Sequence, residues 1–580
     1  MKNLLKYLRD YRKESIIGPL FKLLEACFEL IVPVVMARVI DVGIKNGDAP
    51  YILRMGLLLI FFGILGLVCS VTAQYFAAKA AYGFGTGLRR DLFFHINSLS
   101  FAELDQAGTS TLITRITGDI NQVQSGVNLV LRLFLRSPFI VIGALIASFL
   151  INIRLSLIFL AAVPLLSGVI YLIMKLNIPI YKTVQKHLDR ISLITRENLM
   201  GARVIRAFSR QEEEQERFCE ENAVLRKAQL LAGKIAALLN PATYVLVNLA
   251  IVVLLWYGGK EVDTGTLTQG EVIALVNYMT QILLALVALA TLIVSFTKAT
   301  ASAARVNEIF TYQPSVQEPG GSLAVPVPGA PKVAFSEVSF RYGGAEEDAL
   351  GQICFSVKPG QTIGIIGGTG AGKSTLMHVL CRFYDPTGGD VQIDGVPLSA
   401  YPFSQLRQKI GIVPQRAVLF RGTIRENMRW RKQEASDEEI WRALRIAQAE
   451  AFVRSKPEGL DTMVMQEGKN FSGGQRQRLT IARALVGDPE ILILDDSASA
   501  LDFSTDARLR RALREETRGM TVFFISQRAS SLEHADRILV LDDGRLVGSG
   551  THTELLEACA VYREICLSQL SEEEVHRHEA

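Results

Sequence analysis

Long apolar runs dominate the first half of the chain. A helix needs about 20 apolar residues to cross the roughly 30 Å hydrocarbon layer of a membrane, and each of these runs is long enough. Short polar stretches separate some of the runs, and long charged stretches separate others. The pattern predicts six membrane-spanning helices, at residues 15–44, 52–80, a third that is strongest over 138–151, then 155–174, 235–258 and 272–296.

Three charged residues interrupt the first of these runs. Glu25 and Glu29 are four positions apart and Lys22 precedes Glu25 by three, so a helix places all three on one face. Ionisable groups within a membrane are costly and usually face a bundle interior or a water-filled cavity. One interpretation is a polar cavity that favours cationic substrates. The alternative is that Lys22 reaches the inner membrane surface and Glu25 pairs with it, which leaves no role toward substrate.

Two long connections between the predicted spans, residues 82–124 and 181–232, are polar but keep apolar residues at helical spacing. We expect helices that continue the spans beyond the membrane and then turn back. Their turns are candidates to contact a cytosolic domain, although packing of the helices on one another also explains the apolar stripes. Lys and Arg cluster in both connections and before the first span. Because these residues prefer the cytoplasmic side, we predict a multi-pass protein of the cell membrane with both termini in the cytoplasm.

The hydrophobic pattern changes after the sixth run, which closes an expected transmembrane domain over 1–310. Pro and Gly residues between 311 and 332 break any periodicity and indicate a linker. From residue 333 short apolar runs, first separated by turns and then alternating with helical patterns, predict an α/β domain that extends to 570. The acidic tail 571–580 is expected to be a solvated end.

Composition supports a membrane protein and narrows the other classes. Of the 580 residues, 49% are hydrophobic, too many for a purely soluble chain of this length. The net charge of +4 is small and gives no indication of a nucleic acid partner. The seven cysteines are scattered, odd in number and without C-x-x-C spacing. This distribution favours reduced thiols over a disulfide framework or a metal site.

A glycine-rich loop in the α/β domain matches G-x-x-x-x-G-K-[ST] and joins an apolar strand pattern to a helical one. The glycines allow backbone N–H groups to converge on phosphate oxygens. Lys373 supplies a positive charge for the outer phosphates, and the Ser374 hydroxyl can ligate Mg²⁺. We therefore expect a nucleotide to bind here. The residues of this phosphate loop are Gly367, Gly368, Thr369, Gly370, Ala371, Gly372, Lys373, Ser374 and Thr375.

A second motif, Asn470-Phe471-Ser472-Gly473-Gly474-Gln475, lies between the phosphate loop and an apolar strand that ends at Asp495. In this order the motifs resemble the ATP-binding cassette (ABC) transporter superfamily, in particular an exporter-type half-transporter, over essentially the whole chain. The resemblance implies a six-helix transmembrane bundle with long cytosolic helical extensions, followed by an α/β P-loop nucleotide-binding domain. It also implies an ATPase that uses ATP and Mg²⁺ to drive transport.

The resemblance implies roles for further residues within the chain's own site. Tyr342 matches the aromatic residue that stacks on adenine, although a half-buried strand tyrosine is the alternative. Asp495 ends a strand and matches the carboxylate that holds hydrated Mg²⁺ together with Ser374. Gln415 matches the glutamine that reaches Mg²⁺ and water and reports the state of the site to the membrane helices.

Other residues are implied to serve a second chain. In this family two nucleotide-binding domains face head to tail, and each ATP lies between one chain's phosphate loop and the other chain's signature motif. Asp502 matches the loop that crosses to the second domain and is expected at the dimer contact. The signature residues supplied in trans are Ser472, Gly473, Gly474 and Gln475.

The chain departs from the family pattern at two catalytic positions. The residue after the strand's aspartate is usually a glutamate that polarises the attacking water, but here it is Asp496. Its carboxylate is withdrawn by about one bond length, roughly 1.5 Å. The second departure is Gln527, where the family has a histidine that contacts the γ-phosphate. A glutamine amide donates a hydrogen bond but, unlike imidazole, does not take up a proton and so carries no charge.

These departures predict a site that binds ATP and hydrolyses it poorly. They resemble the degenerate-site subunit of bacterial heterodimeric multidrug exporters, with a competent site completed on a second half-transporter. The alternatives are a homodimeric exporter that works slowly, and a nucleotide-sensing regulatory subunit of another membrane protein. The resemblance implies export of an amphipathic solute such as a drug or lipid, and the sequence does not select one.

Overall fold

The computed structural model describes residues 2–320, 323–497, 501–517 and 519–569, so the predicted tail 571–580 lies outside the described residues. The described chain divides into two compact units. One comprises residues up to 97 together with 109–311, and the other comprises 98–108 together with residues from 312 onward.

The first unit is helical throughout. It begins with a 3₁₀ helix, Lys2–Tyr11, and π-helical turns occupy Val39–Ile44 and Arg115–Asp119. The α-helices up to residue 309, of which α3 belongs to the second unit, are α1 (Arg12–Arg38), α2 (Ala49–Ser98), α3 (Phe101–Ala107), α4 (Thr109–Thr114), α5 (Ile120–Leu133), α6 (Arg136–Ile151), α7 (Ile153–Met200), α8 (Ala202–Ala207), α9 (Gln211–Ala237), α10 (Leu239–Asp263) and α11 (Gln269–Ile309).

Five helical stretches among the described residues are long and apolar enough to cross a membrane. They contain the second to sixth predicted runs and cover Ala49–Ser98, Thr109–Ile151, Ile153–Met200, Gln211–Asp263 and Gln269–Ile309. Helix α1 is not among them, because Lys22, Glu25 and Glu29 lie in its middle. A sixth span therefore stays a prediction.

The helices of the first unit extend far beyond the apolar runs. Helix α2 has 50 residues and α7 has 48. At 1.5 Å per residue each is about 70 Å long, more than twice the hydrocarbon thickness. The helices of the third and fourth runs are joined by the single residue Asn152. Its Oδ1 accepts hydrogen bonds from the backbone N–H groups of Arg154 and Leu155 and so starts α7.

Helix α11 forms the centre of this unit, packing on α1, α5, α6 and α10. Its buried face includes Tyr278, whose hydroxyl donates a 2.7 Å hydrogen bond to the Leu30 carbonyl of α1. Gln281, one turn further on, donates from its amide to the Glu29 carbonyl at 3.2 Å. These bonds fix the middle of α1, where its charged residues lie, against α11.

The second unit is an α/β domain, as the sequence pattern predicts. Its strands are β1 (Val333–Phe340), β2 (Leu350–Val357), β3 (Thr362–Gly367), β4 (Gly388–Ile393), β5 (Val396–Pro397), β6 (Ile410–Val413), β7 (Gly422–Thr423), β8 (Met463–Val464), β9 (Ile491–Asp495), β10 (Thr521–Ile525), β11 (Arg537–Asp542) and β12 (Arg545–Gly550). Its further helices are α12 (Lys373–Leu380), α13 (Phe403–Lys409), α14 (Ile424–Met428), α15 (Asp437–Ile446), α16 (Glu450–Arg454), α17 (Gly473–Leu485), α18 (Phe503–Glu516), α19 (His552–Ala558) and α20 (Ala560–Leu567).

A six-stranded sheet in the order β12-β11-β3-β10-β9-β6 forms the core of this unit. Strands β11, β3, β10, β9 and β6 are parallel, and β12 is antiparallel at one edge. Both faces are covered, so β9 is buried at every residue and its sequence is continuously apolar up to Asp495. The carboxyl ends of β3, β10, β9 and β6 therefore lie side by side, the edge where open parallel sheets bind ligands.

The first long connection contributes a short helix to the second unit. Helix α3 places Phe101 against Phe383, with ring centroids 4.5 Å apart. The Tyr384 hydroxyl donates a 2.6 Å hydrogen bond to the Asp105 carboxylate of α3. The turn of this connection thus packs within the α/β unit, in agreement with the expectation that a turn between spans contacts that domain.

Candidate nucleotide-binding site

Four predicted functional segments follow directly from adjacent parallel strands of the large sheet. The phosphate loop follows β3, Gln527 follows β10, Asp496 follows β9 and Gln415 follows β6. Their side chains surround a cavity of about 240 Å³. Its wall is formed by Thr369, Gly370, Ala371, Gly372, Lys373, Ser374, Thr375, Gln415, Asp495, Asp496, Ile525, Ser526 and Gln527. All of these are predicted from the sequence except Ile525, the last residue of β10, and Ser526, which joins it to Gln527.

The phosphate loop has a backbone that its glycines permit. Gly370 and Gly372 adopt φ angles of +86° and +91°, in the region that favours glycine. A Cβ on Gly372 would lie 2.8 Å from the Ala349 carbonyl oxygen, and one on Gly367 only 2.1 Å from that of Leu541. Larger residues therefore do not fit at either position. The loop ends at the N-terminus of α12, where unpaired N–H groups and the helix dipole favour phosphate.

Lys373 begins α12 and is largely buried, with 9% of its surface exposed. Its ammonium group donates hydrogen bonds to the Gly367 carbonyl at 2.9 Å and the Gly368 carbonyl at 2.6 Å. Burial lowers the pKa of Lys373, and the neighbouring carboxylates of Asp495 and Asp496 oppose that shift. The positive charge of Lys373 is thus held on the loop, in the cavity wall.

Replacing Lys373 with methionine is expected to weaken ATP binding to this chain by about ten- to a hundredfold. A charge-assisted hydrogen bond contributes about 1.5–3 kcal/mol, and each 1.4 kcal/mol is about tenfold in affinity. Equilibrium titration with a fluorescent ATP analogue and Mg²⁺ measures the change. Lys358→Ala, which removes an exposed lysine of the same unit, is the matched control. Equal affinities for Lys373→Met and the unsubstituted chain would contradict the assignment.

Asp495 and Ser374 lie together in the cavity wall. The Ser374 hydroxyl donates to Asp495 Oδ1 at 3.3 Å. Asp495 is 8% exposed, and burial raises the pKa of its carboxyl above the usual value. A hydroxyl and a carboxylate at this separation are hard oxygen donors of the kind that Mg²⁺ prefers. The residues therefore fit the ion that the sequence predicts there.

Asp496 lies in the same wall and has an unusual backbone. Its φ is +42°, a region that aspartate tolerates better than most residues. Its N–H donates to the Ile525 carbonyl at 3.0 Å, which ties β9 to the end of β10. Gln415 Nε2 donates to Asp496 Oδ2 at 3.3 Å. The structure thus brings the two residues together at the edge of the cavity.

Gln527 lines the cavity from the end of β10 and is exposed. Its loop is bridged by a residue that the sequence does not single out. The Gln569 amide donates to the Gln527 carbonyl at 2.6 Å, and its oxygen accepts from the Ala529 N–H at 2.9 Å. Because Gln569 lies 42 residues along the chain from Gln527, no local pattern indicates this contact.

Tyr342 lies just beyond the end of β1 and outside the cavity wall. Its hydroxyl is 3.1 Å from the hydroxyl of Thr375 in the phosphate loop. Its ring packs edge-on against Phe340 and Tyr384, with centroids 4.8 and 5.4 Å away. The ring is thus held beside the loop by aromatic neighbours.

The signature residues lie away from this cavity. Ser472 caps α17: its hydroxyl accepts from the Gln475 N–H, and the Gln475 side chain accepts from the Ser472 N–H. Ser472 and Gly473 are exposed, and neither they nor Gly474 and Gln475 line the cavity. Asp502 likewise lies outside the cavity wall and caps α18 by accepting a 2.6 Å hydrogen bond from the Thr505 N–H.

Comparisons with known proteins agree with this arrangement. A family model described as the ABC transporter transmembrane region matches residues 15–286, and one described as ABC transporter matches residues 350–499. A solved structure of a bacterial Atm1-family ABC exporter with ATP bound superimposes with a TM-score of 0.80 at 26% identity, covering 97% of this chain and 99% of that one.

Three curated relatives span most or nearly all of the chain. YfiB of Bacillus subtilis, an uncharacterized ABC transporter ATP-binding protein, is 36% identical over 99% of this chain and 99% of its own. YheI of the same organism, a probable multidrug resistance ABC transporter ATP-binding/permease protein, is 36% identical over 82% of this chain and 81% of its own. An ATP-dependent lipid A-core flippase of Chromohalobacter salexigens is 32% identical over 99% and 98%. The chain therefore belongs to the ABC transporter family and is an exporter-type, ATP-driven member of it.

Proposed function

We propose that this chain is one half of a heterodimeric exporter, that it holds Mg·ATP at a slowly hydrolysing site of its own, and that it completes a competent site on its partner. One observation carries the proposal. A phosphate loop that matches its motif at every position lines the same cavity as Asp496 and Gln527. Efficient hydrolysis needs a longer carboxylate at the first of these positions and a titratable side chain at the second.

The first weakness of the site concerns the attacking water. Asp496 reaches the cavity wall, but its arm is one methylene shorter than the glutamate of the family pattern. Its Oδ2 also accepts a hydrogen bond from the Gln415 amide. This bond holds the oxygen toward Gln415, at the neighbouring strand end. A positioning error of about 1 Å costs on the order of a hundredfold in rate. Binding, by contrast, depends on the phosphate loop and is unaffected.

The second weakness concerns charge at the γ-phosphate. Phosphoryl transfer is catalysed mainly by positioning and by stabilising charge on the transferred group. The Gln527 amide can donate a hydrogen bond there, but it cannot carry the positive charge of an imidazolium. Both defects act on the chemical step, and neither touches Lys373 or the loop glycines.

Mg²⁺, when bound with ATP, would neutralise charge on the phosphate oxygens. The residues that would hold it are Ser374, Asp495 and Gln415. Ser374 Oγ lies 3.3 Å from Asp495 Oδ1, and Gln415 follows β6, the strand beside β9. Lys373 would bind the outer phosphates, and the backbone N–H groups of the loop would orient them. Tyr342, held beside Thr375, is the residue we assign to the adenine ring.

The signature motif supports a role toward a second chain. Ser472 and Gly473 are exposed at the N-terminus of α17, outside the chain's own cavity. A 13-residue helix that presents free N–H groups and a positive dipole end suits an anionic phosphate. We assign this surface, with Asp502 at the N-terminus of α18, to the partner's nucleotide. ATP would then bring two nucleotide-binding domains together.

Coupling to the membrane helices is assigned to α3. Phe101 and Asp105 contact Phe383 and Tyr384, which follow α12 directly along the chain from the phosphate loop. Movement of α12 on nucleotide binding would therefore displace α3 and the helices it joins. We propose a multi-pass arrangement with both termini in the cytoplasm and export of an amphipathic solute, the class that the names of the multidrug and lipid-flippase relatives indicate.

ATP hydrolysis by the purified chain alone tests the proposal. We expect binding of Mg·ATP with turnover at least a hundredfold below the roughly 10 s⁻¹ of an ordinary enzyme. Addition of a half-transporter that carries the glutamate and histidine should restore turnover. Vigorous hydrolysis by the chain alone would indicate a homodimeric exporter instead. Restored hydrolysis without ATP-dependent solute movement in reconstituted vesicles would indicate a regulatory subunit and contradict the export function.

A further inference from the structure

A second cavity lies within the helical unit, at the level of the charged residues of α1. It has a volume of about 720 Å³, within the range that binds drug-sized molecules. Helices α1, α2, α6 and α11 all contribute to its wall. From this cavity we infer a binding site for amphipathic molecules that carry a protonated amine with N–H groups. The inference rests on the exporter function proposed above only in placing the cavity on the transport path.

Two carboxylates of α1 give the wall its charge. Glu25 and Glu29 both line the cavity. Each uses its Oε2 in an ion pair, Glu25 with Lys22 at 2.5 Å and Glu29 with Arg136 at 2.7 Å. Lys22 is 6% exposed and does not line the cavity, whereas Arg136 does. The two carboxylates are balanced by two cations, but both carboxylates and only one of the cations line the wall, so the side that faces the cavity favours a cation over an anion.

The uncharged polar groups of the wall also favour a donor-rich ligand. The Asn277 amide donates its N–H to the Ile273 carbonyl at 3.0 Å, and the Gln281 amide donates to the Glu29 carbonyl at 3.2 Å. Each amide thus uses one of its two N–H groups within the protein, and its oxygen remains as an acceptor. Among the described residues the Gln281 Oε1 has no hydrogen-bond partner and is buried. A ligand that brings N–H groups satisfies such acceptors, whereas a ligand without donors leaves them unpaired.

The remainder of the wall is apolar and suits a hydrophobic body. Phe28 of α1 and Phe62 of α2 stack on each other in the wall, with centroids 5.8 Å apart and an interplanar angle of 23°. A cation beside aromatic faces gains a further attraction. Gly63, one position beyond Phe62, leaves open space, since nothing lies within 4 Å of a Cβ built there. Flat aromatic ligands with an amine substituent match this combination.

Equilibrium binding without nucleotide tests the inference. The full-length chain, with its partner when one is needed for assembly, is placed in nanodiscs of zwitterionic lipid. Four probes of similar size are titrated: dansylcadaverine, its trimethylammonium analogue, its N-acetyl derivative and 6-(dansylamino)hexanoate. We expect dansylcadaverine to bind about tenfold or more tightly than the neutral and anionic probes and several-fold more tightly than the trimethylammonium analogue, because ionic hydrogen bonds contribute about 1.5–3 kcal/mol.

Variants of the wall locate the site. Glu25→Gln and Glu29→Gln keep the shape of each side chain and should each weaken dansylcadaverine binding about tenfold. Glu14→Gln is the matched control, since Glu14 also lies on α1 and pairs with Lys79 at 3.0 Å outside the cavity. Gly63→Leu fills the open space without changing a charge and should also weaken binding. If the glutamine variants do not fold, the Gly63→Leu result decides.

Two results would overturn the inference. One is equal or tighter binding of the N-acetyl or carboxylate probe. The other is unchanged dansylcadaverine binding in Gly63→Leu, or in folded Glu25→Gln and Glu29→Gln. Because no ATP is present, these results are independent of the nucleotide site. A chain that hydrolyses ATP vigorously would contradict the proposed division of labour and leave this binding result intact.

Discussion

Replacing Gly474 with aspartate is expected to lower the ATP turnover of the assembled complex by at least a hundredfold. Gly474 is the second residue of α17, at the exposed end assigned to the partner's ATP. A carboxylate about 4 Å from a phosphate charge costs about 4 kcal/mol at an effective dielectric constant of 20. That energy corresponds to about a thousandfold. Steady-state ATPase of the complex measures the loss.

The same substitution is not expected to unfold the helix. Aspartate in the first turn stabilises a helix through its dipole, and replacing glycine improves helix propensity. The matched control is Thr553→Asp, which places the same charge at the second position of α19, another helix with a capping box. It should leave turnover within about twofold, as should Asp496→Ala. Normal turnover in Gly474→Asp together with its loss in Asp496→Ala would invert the roles assigned to the two sites.

Restoring both catalytic side chains, Asp496→Glu with Gln527→His, is expected to raise hydrolysis at this chain's own site by about a hundredfold. The longer arm recovers about 1.5 Å of reach, and the imidazole adds a group that can carry charge at the γ-phosphate. Glutamate can adopt the positive φ that position 496 requires, because Glu337 and Glu467 have φ angles of +50° and +60° in this chain. Turnover is measured in a complex whose other site is disabled by Gly474→Asp.

Asp543→Glu is the control for this gain. Asp543 has a φ of +44°, almost that of Asp496, but lies on the exposed turn between β11 and β12. It should leave hydrolysis unchanged. Each single restoration should give a smaller gain than the pair, since both side chains act on one chemical step. If the double variant stayed as slow as the unsubstituted chain, Asp496 and Gln527 would not be the cause of slow hydrolysis.

Much of the nucleotide site was predictable because its residues follow strands in a fixed order. Parallel strands bring their carboxyl ends together, so the loops after β3, β6, β9 and β10 meet once each strand is recognised. The departures at Asp496 and Gln527 are visible in the sequence because the neighbouring motif residues align them. Gln569 was not predictable, since its contact with the Gln527 loop depends on where α20 ends in three dimensions.

The helical unit was predictable in outline but not in its polar contacts. Apolar runs located the helices, yet they carry no information on which faces meet. The sequence left open whether Glu25 pairs with Lys22 or faces a cavity, and the structure shows both. The pairing of Glu29 with Arg136 joins residues 107 positions apart and has no local signal. Likewise, the periodicity of 82–124 could not show that Phe101 packs on Phe383.

The fate of the nucleotide held by this chain tests the central claim most directly. The assembled complex is supplied with photoreactive ATP labelled at the α- or γ-phosphate, allowed to turn over, and cross-linked at successive times. We predict that nucleotide attached to this chain keeps its γ-phosphate over many catalytic cycles, while nucleotide attached to the partner loses it. Loss of the γ-phosphate from both chains at the same rate would contradict the account.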